Sequence, residues 1–250
     1  MRVLVCVKRV PAPGARIVLT EDSQAIDTKL LSFTVSPHEE CAVEEAVRIA
    51  EGNDGTVTVL TLGPPEAEEQ LRSALAVGAH EAVLVPTDGS DWDPISTSNA
   101  IAAAIGELES DGVFDLILFG NESADSGGYQ VGVRVAHALR RPIVSGIKSI
   151  ESDEGSVRLR RDTASGSEIY SLPLPAVVAV REGINLPRYP TLKGRLNAKK
   201  VELNRIDAER IGGGQQMLRL VTPQQEISAT TILPDVAGVV DLLEELQVLE

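Results

Sequence analysis

Three segments of this chain carry residue types suited to holding an anionic ligand. The most suggestive is Gly120-Asn121-Glu122-Ser123-Ala124-Asp125-Ser126-Gly127-Gly128, which continues through Tyr129, Gln130, Val131 and Gly132 to Val133. It follows an apolar run and precedes helical spacing. Bare backbone N–H groups there can approach a phosphate, and a helix dipole favours its charge. The segment matches neither the G-x-G-x-x-G fingerprint nor the Walker lysine pattern, so composition leaves it open between an anion cradle and a flexible loop. The other two segments are Cys6, at the end of a first apolar run, and the turn Leu62-Gly63-Pro64.

Residues able to drive covalent or acid–base chemistry are scattered. His38, His80 and His137 have no paired spacing that suggests a metal. His38 can face a ligand near a helix start, His80 reads as an exposed turn, and His137 as the polar face of a helix. Cys6 reads as a small core residue. Cys41 lies in the first turns of a helix, where a thiol can be activated, but inert packing is the simpler reading. Glu44-Glu45 reads as helix surface, and Asp125 as a loop cap or a ligand. No nucleophile–base set stands out, which fits a carrier of a ligand better than a hydrolase.

A different kind of signal occupies Gly183-Ile184-Asn185-Leu186-Pro187-Arg188-Tyr189-Pro190. Apolar residues sit in a proline-stiffened loop after a buried strand, where exposed side chains can anchor a partner. Packing of the loop on its own domain is the alternative. Arg188, Lys193, Arg195, Lys199 and Lys200 make this the basic corner of an acidic chain.

These residues need a scaffold, and the hydrophobic pattern supplies one. Short aliphatic runs at 3–7, 56–62, 82–85 and 116–119 alternate with helical stretches at 36–49, 66–77, 94–108 and 129–139. That is the pattern of a parallel sheet covered by helices. Ser36-Pro37 opens the first helix, with Glu39 and Glu40 at its positive end, and Asp93 caps the third. A hairpin-like excursion pairs 17–19 with 25–27. The runs 145–152, 156–161 and 168–172 read as antiparallel strands, and 176–180 as a buried strand able to rejoin the main sheet. From 204 the chain turns polar, with Gly212-Gly213-Gly214 as a joint, and only 236–249 regains helical spacing. The expected fold is α/β: a mostly parallel, doubly wound sheet with helices on both faces, a small antiparallel β insertion and an extended C-terminal arm. The α/β domain spans 1–203, with the antiparallel segment near 145–172, and the arm spans 204–250. A tail that cannot bury a core of its own is expected to lie on something else.

Composition narrows the function classes. The 250 residues carry 23 basic and 37 acidic side chains, a net charge of −14. A nucleic-acid binder normally shows a basic footprint and stacking aromatics, whereas only 3 % of residues here are aromatic. Two cysteines are too few for a disulfide framework, and no apolar run approaches the ~20 residues of a membrane span. Neither nucleic acid nor stable membrane insertion is expected, and the N-terminus reads as a strand of a cytoplasmic protein.

Taken together, VLVCVKRVP, SPHEECAVEEAVRI, VTVLTLGPPEAEEQLRSALAVGAHEAVLV, DLILFGNESADSGGYQVG, LPAVVAVREGINLPRYPTLKGRLNAKK and the ending TPQQ…GVVDLLEEL keep order and spacing over nearly the whole chain. In them the sequence resembles the beta subunits of electron transfer flavoproteins, the FixA group included. The resemblance implies a heterodimer with an alpha subunit that holds most of one FAD. That FAD takes electrons from dehydrogenases and passes them towards a quinone reductase. It also implies an adenine nucleotide in the beta subunit, AMP, or a second FAD in bifurcating members. Carried over by motif, that pocket uses Cys6, Ser36, Pro37, His38, Glu39, Leu62 and Glu122, Ser123, Ala124, Asp125, Ser126, Gly127, Gly128, Tyr129, Gln130, Val131, Gly132 and Val133. A recognition loop at 182–195 docks dehydrogenases, with Ile184 as apolar anchor beside Leu186, Arg188 and Tyr189, and the arm embraces the alpha subunit. No catalytic residue and no metal is implied. The second reading is a stand-alone adenine-nucleotide-binding regulatory protein of the stress type, which needs neither the Ile184 loop nor a coreless tail.

Overall fold

The structure is a computed structural model that describes residues 1–211, 214–223 and 232–248. Gly212 and Gly213 of the glycine joint, the stretch 224–231 and residues 249–250 at the end of the expected last helix lie outside the described residues. In chain order the elements are β1 (Arg2–Cys6), β2 (Val10–Pro11), β3 (Phe33–Thr34), α1 (Pro37–Gly52), β4 (Thr56–Gly63), α2 (Glu68–Val77), β5 (Glu81–Pro86), α3 (Pro94–Leu108), β6 (Leu116–Gly120) and α4 (Val131–Ala138). They continue as β7 (Ile143–Asp153), β8 (Ser156–Thr163), β9 (Gly166–Pro173), β10 (Ala176–Val180), α5 (Leu192–Ala198), β11 (Asn204–Arg205) and α6 (Val236–Glu245).

The apolar runs become strands because a parallel strand is covered on both faces and needs no polar alternation. They form one sheet in the order β11-β5-β4-β1-β6-β10-β7-β8-β9. Every pairing from β11 to β7 is parallel, and β8 and β9 add as antiparallel hairpins. Period-2 geometry then sorts the core. Val3, Val5, Leu116, Leu118 and Val178 face α1 and α2, while Leu4, Cys6, Ile117, Phe119 and Val177 face α3 and α4. Helices on both faces are the doubly wound architecture the pattern predicts.

Local chemistry sets the boundaries. Asp93 caps α3, its carboxylate accepting from the N–H groups of Ile95 at 2.9 Å and Ser96 at 3.2 Å. The helix expected from residue 129 begins at Val131, because Tyr129 holds a left-handed φ of 54° that no helix accommodates. The excursion at 17–27 closes on a single bridge, Leu19 to Ile26, over a base made by β2 and β3. The antiparallel segment is not set apart from the main sheet. β7 also lies parallel to β10, so the hairpins extend the same layer, and β10 enters the gap between β6 and β7. At the far edge Asn204 and Arg205, the first residues of the arm by sequence, pair with β5, and Ile206 is buried.

Candidate functional site

From β1 the chain winds one way to β4 and β5, and later the other way to β6 and β10, so winding reverses between β1 and β6. The crevice at the carboxyl ends of these two strands is where an open α/β sheet receives ligands. Lys8 leaves it on one side, Asn121 on the other, and the N-terminus of α1 sits above. The close approach depends on Gly120. A Cβ there would stand 2.6 Å from Glu39 Cγ and 3.2 Å from both Glu39 N and His38 Cβ.

Glu39 fills the centre of this arrangement. Its carboxylate accepts from the Lys8 N–H at 3.0 Å and the Ser36 N–H at 3.4 Å, and the side chain is buried. Burial pushes its pKa up to about 8, with the charge of Asp125 adding to the rise and the two N–H groups and the Lys8 charge opposing it. Burial, with the Glu39 carboxylate nearby, also drives the Cys6 thiol far above its ordinary range, so Cys6 is a protonated core residue.

The glycine-containing loop is tied across the crevice. Lys8 Nζ pairs with Asp125 Oδ2 at 2.6 Å, and Ser36 Oγ donates to Glu122 O at 3.4 Å. Partial burial acts to raise the Asp125 pKa. The Lys8 charge and hydrogen bonds from Lys8, Ser123 and Ser126 outweigh it and hold the group below its usual value. The hydroxyls of Ser123 and Ser126 meet at 2.9 Å, and the Gly127 N–H donates to Ser123 O at 3.0 Å. Gly127, with a φ of 54°, turns the backbone so that the next groups face outward. Among the described residues the N–H groups of Gly128, Tyr129 and Gln130 have no protein acceptor. They lead directly into the first turn of α4, whose own N–H groups share that end of the helix. Gly132 seats α4 on β6, where a Cβ would lie 3.1 Å from the Phe119 ring.

The structure therefore gathers Cys6, Ser36, Pro37, His38, Glu39 and residues 122–133 at one crevice. Leu62 stands at the end of the adjacent β4, half-buried against the α3 side. Tyr129, Gln130 and Val133 also line an open groove of about 500 Å³ along α3 and α4. Lys8 belongs to the site although the sequence did not single it out, whereas Gly120 stood at the head of the candidate loop. Its position just past the end of β1 was the available signal for Lys8. His80 and His137 are exposed, His137 on the groove that Tyr129, Gln130 and Val133 also line, and among the described residues no group of three or more His, Cys, Asp or Glu is arranged to hold a metal.

The 182–195 loop is built onto α1 beside the crevice. His38 Nδ1 accepts from the Glu182 N–H at 2.8 Å, while its Nε2 lies 3.4 Å from Glu122 Oε1. Lys148 Nζ donates to Glu182 O. Asn185 Nδ2 donates to Cys41 O at 3.0 Å and to Glu45 Oε2 at 2.9 Å. Arg188 Nε reaches Glu44 Oε2 at 2.8 Å and its Nη1 reaches Glu51 Oε1 at 2.7 Å, which raises the guanidinium pKa and lowers that of Glu51. Glu44 and Glu45, expected as helix surface, are instead buried beneath this loop, because Arg188 and Asn185 satisfy them. Ile184 is half-buried against the core, whereas Leu186 is 88 % and Tyr189 93 % exposed, with Leu192 and Leu196 also exposed. The arm runs over the same chain. Ser96 Oγ donates to Ile211 O at 2.6 Å, and the Leu220 N–H donates to Ser23 O at 2.9 Å. In α6 no residue is buried, and Val236, Val239, Val240 and Leu242 are exposed. No helix among the described residues is long and apolar enough to cross a membrane.

Comparison with known proteins places the chain in a family. The family model described as electron transfer flavoprotein domain matches residues 26–211. The chain is 34 % identical over 238 residues to the electron transfer flavoprotein subunit beta of Mycobacterium tuberculosis (strain ATCC 25618 / H37Rv), covering 93 % of this chain and 88 % of that one. The Bacillus subtilis (strain 168) subunit of the same name is 34 % identical over 209 residues, 84 % and 80 % of the two chains. The caffeyl-CoA reductase-Etf complex subunit CarD of Acetobacterium woodii is 32 % identical over 214 residues, 85 % and 80 %. With the domain matched over most of its length and relatives of this identity spanning nearly all of it, the chain belongs to the electron transfer flavoprotein family, among its beta subunits.

Proposed function

We propose that this chain binds an adenine nucleotide at the β1/β6 crevice, docks dehydrogenases through its 182–195 loop, and pairs with an alpha subunit that holds the FAD. The observation that carries the nucleotide reading is the backbone from Gly128 to Gln130, whose N–H groups point away from protein acceptors at a helix N-terminus. A phosphate fits such groups because they are oriented in advance and free of side chains. Residues 122–133 would wrap the phosphate, Ser36 to Glu39 would meet the nucleoside, and Cys6 would floor the pocket. The Glu39 carboxylate lies inward, on Lys8 and Ser36, where it can accept from a sugar hydroxyl without opposing the phosphate directly.

The flavin, when bound, supplies the electron-carrying chemistry. This chain contributes shielding and position rather than an acid–base pair, so it acts as a carrier subunit of a cytoplasmic shuttle and not as an enzyme by itself. Leu186 and Tyr189 offer apolar surface to a dehydrogenase, with Ile184 as the inner anchor of their loop and Arg188 fixing it to α1. The uncovered apolar residues of α6 and the arm suit an alpha subunit, and a quinone reductase is the acceptor this reading implies.

The test is extraction of nucleotide from the heterodimer purified without added cofactor. One AMP and one FAD per heterodimer supports the proposal, and two FAD places a second flavin in the same pocket. A single FAD with no AMP would refute the pocket.

A further inference from the structure

His38 touches both functional regions at once, and its ring chemistry allows only one arrangement. Nδ1 accepts the Glu182 N–H at 2.8 Å, so that nitrogen carries no proton. The ring proton is then on Nε2, which faces Glu122 Oε1 at 3.4 Å. Glu122 opens the glycine-containing loop, and Glu182 is the first residue of the 182–195 loop. The carbonyl of Glu182 is taken by Lys148 and its N–H by His38, so His38 holds one of the two backbone groups that fix the loop's root. Further along, Asn185 and Arg188 attach the loop to α1, the helix on which His38 itself lies.

We infer that His38 is a positioning residue through which occupancy of the nucleotide pocket sets the order of the docking loop. The inference rests on the proposed pocket and deepens it by assigning the nucleotide a part in partner recognition. A nucleotide that orders residues 122–130 holds the Glu122 carboxylate against Nε2–H. That contact fixes the tautomer and ring angle in which Nδ1 receives the Glu182 N–H. Without the nucleotide, Glu122 moves with its loop and the ring loses one of its two restraints. Coupling of this kind is reciprocal, so a docked dehydrogenase tightens nucleotide binding by the factor by which nucleotide tightens docking.

The experiment measures amide exchange at Glu182 in the purified heterodimer with and without AMP, alongside AMP binding by equilibrium dialysis. In the wild type AMP slows exchange at Glu182 by about fivefold, the low end of ordinary coupling. Two substitutions separate the contacts. His38→Asn keeps an acceptor at the Nδ1 position but does not reach Glu122, so exchange stays slow and ignores AMP. His38→Gln keeps a donor towards Glu122 but offers Glu182 no acceptor, so exchange is fast with or without AMP. A merely structural residue would respond alike to both. If His38→Gln does not fold, Glu122→Ala breaks the chain of contacts from the other end and abolishes the AMP response. AMP binding with unchanged Glu182 exchange in the wild type overturns the coupling and leaves the pocket standing. Absence of AMP binding overturns both. A response to AMP that survives in His38→Asn or in Glu122→Ala overturns the assignment to His38.

Discussion

A carboxylate buried between two backbone N–H groups makes Glu39 a source of pH dependence. Its pKa lies near 4.5 in the unfolded chain and about 8 in the folded one. Between those values the unfolded chain releases a proton that the folded chain keeps, so the group's contribution to stability falls as pH rises from about 4.5 to about 8. Unfolding free energies from urea titration at pH 5 and pH 8 should differ in the wild type by ~1–3 kcal/mol from this residue, and the difference should shrink in Glu39→Gln. Equal slopes in the two proteins would remove Glu39 as the cause. On the docking side, Leu186→Ala and Tyr189→Ala remove exposed surface with no packing role. Each should raise the KM for a partner dehydrogenase by up to roughly tenfold with flavin content and unfolding midpoint unchanged. A changed midpoint with normal KM would speak for packing instead.

At the scale of elements, α1 carries two loads: its N-terminus frames the crevice and its flank carries the 182–195 loop. Arg188→Met leaves Glu44 buried without its main cation, with only Arg48 Nε at 3.2 Å, and should cost about 2–4 kcal/mol in denaturant titration. Adding Glu44→Gln should recover part of that loss, because the uncompensated charge is then gone. A double variant no more stable than the single would show that the charge is not what matters. The seat of α1 on β6 is tested by Gly120→Ala, whose methyl meets Glu39 backbone as well as side chain. A loss of about 1–3 kcal/mol is expected from the same titration, and none would mean that the helix shifts freely. The strands themselves were legible, because β1, β6 and β10 are unbroken aliphatic runs whose burial on both faces leaves no other reading. The Asp93 cap and the strand-end loops were legible for similarly local reasons. The clamp was not. Arg188 and Glu44 are 144 residues apart, and no periodicity in α1 reveals what covers it. Glu44 and Glu51, seven apart on one helix face, were the single hint that a long cation lies along that side.

For the whole molecule, the described body closes at Ile206, beyond which none of the described residues is buried. A chain ending at residue 210 should unfold at the same urea midpoint as the full chain yet fail to copurify with an alpha subunit. Retained copurification would relocate that interface to the body. The sheet continues past residue 203, where hydrophobic content drops, and the edge strand that carries it on was hidden by having only two residues. The place of β10 bears on biosynthesis. β6 is complete at residue 120, but the strand that covers its open edge is 176–180. At about 5–20 residues per second a ribosome takes roughly 3–12 s to supply it. Through that interval β6 and then β7 stand with unpaired edges, and the growing chain depends on chaperones or on transient pairing until β10 slides between them.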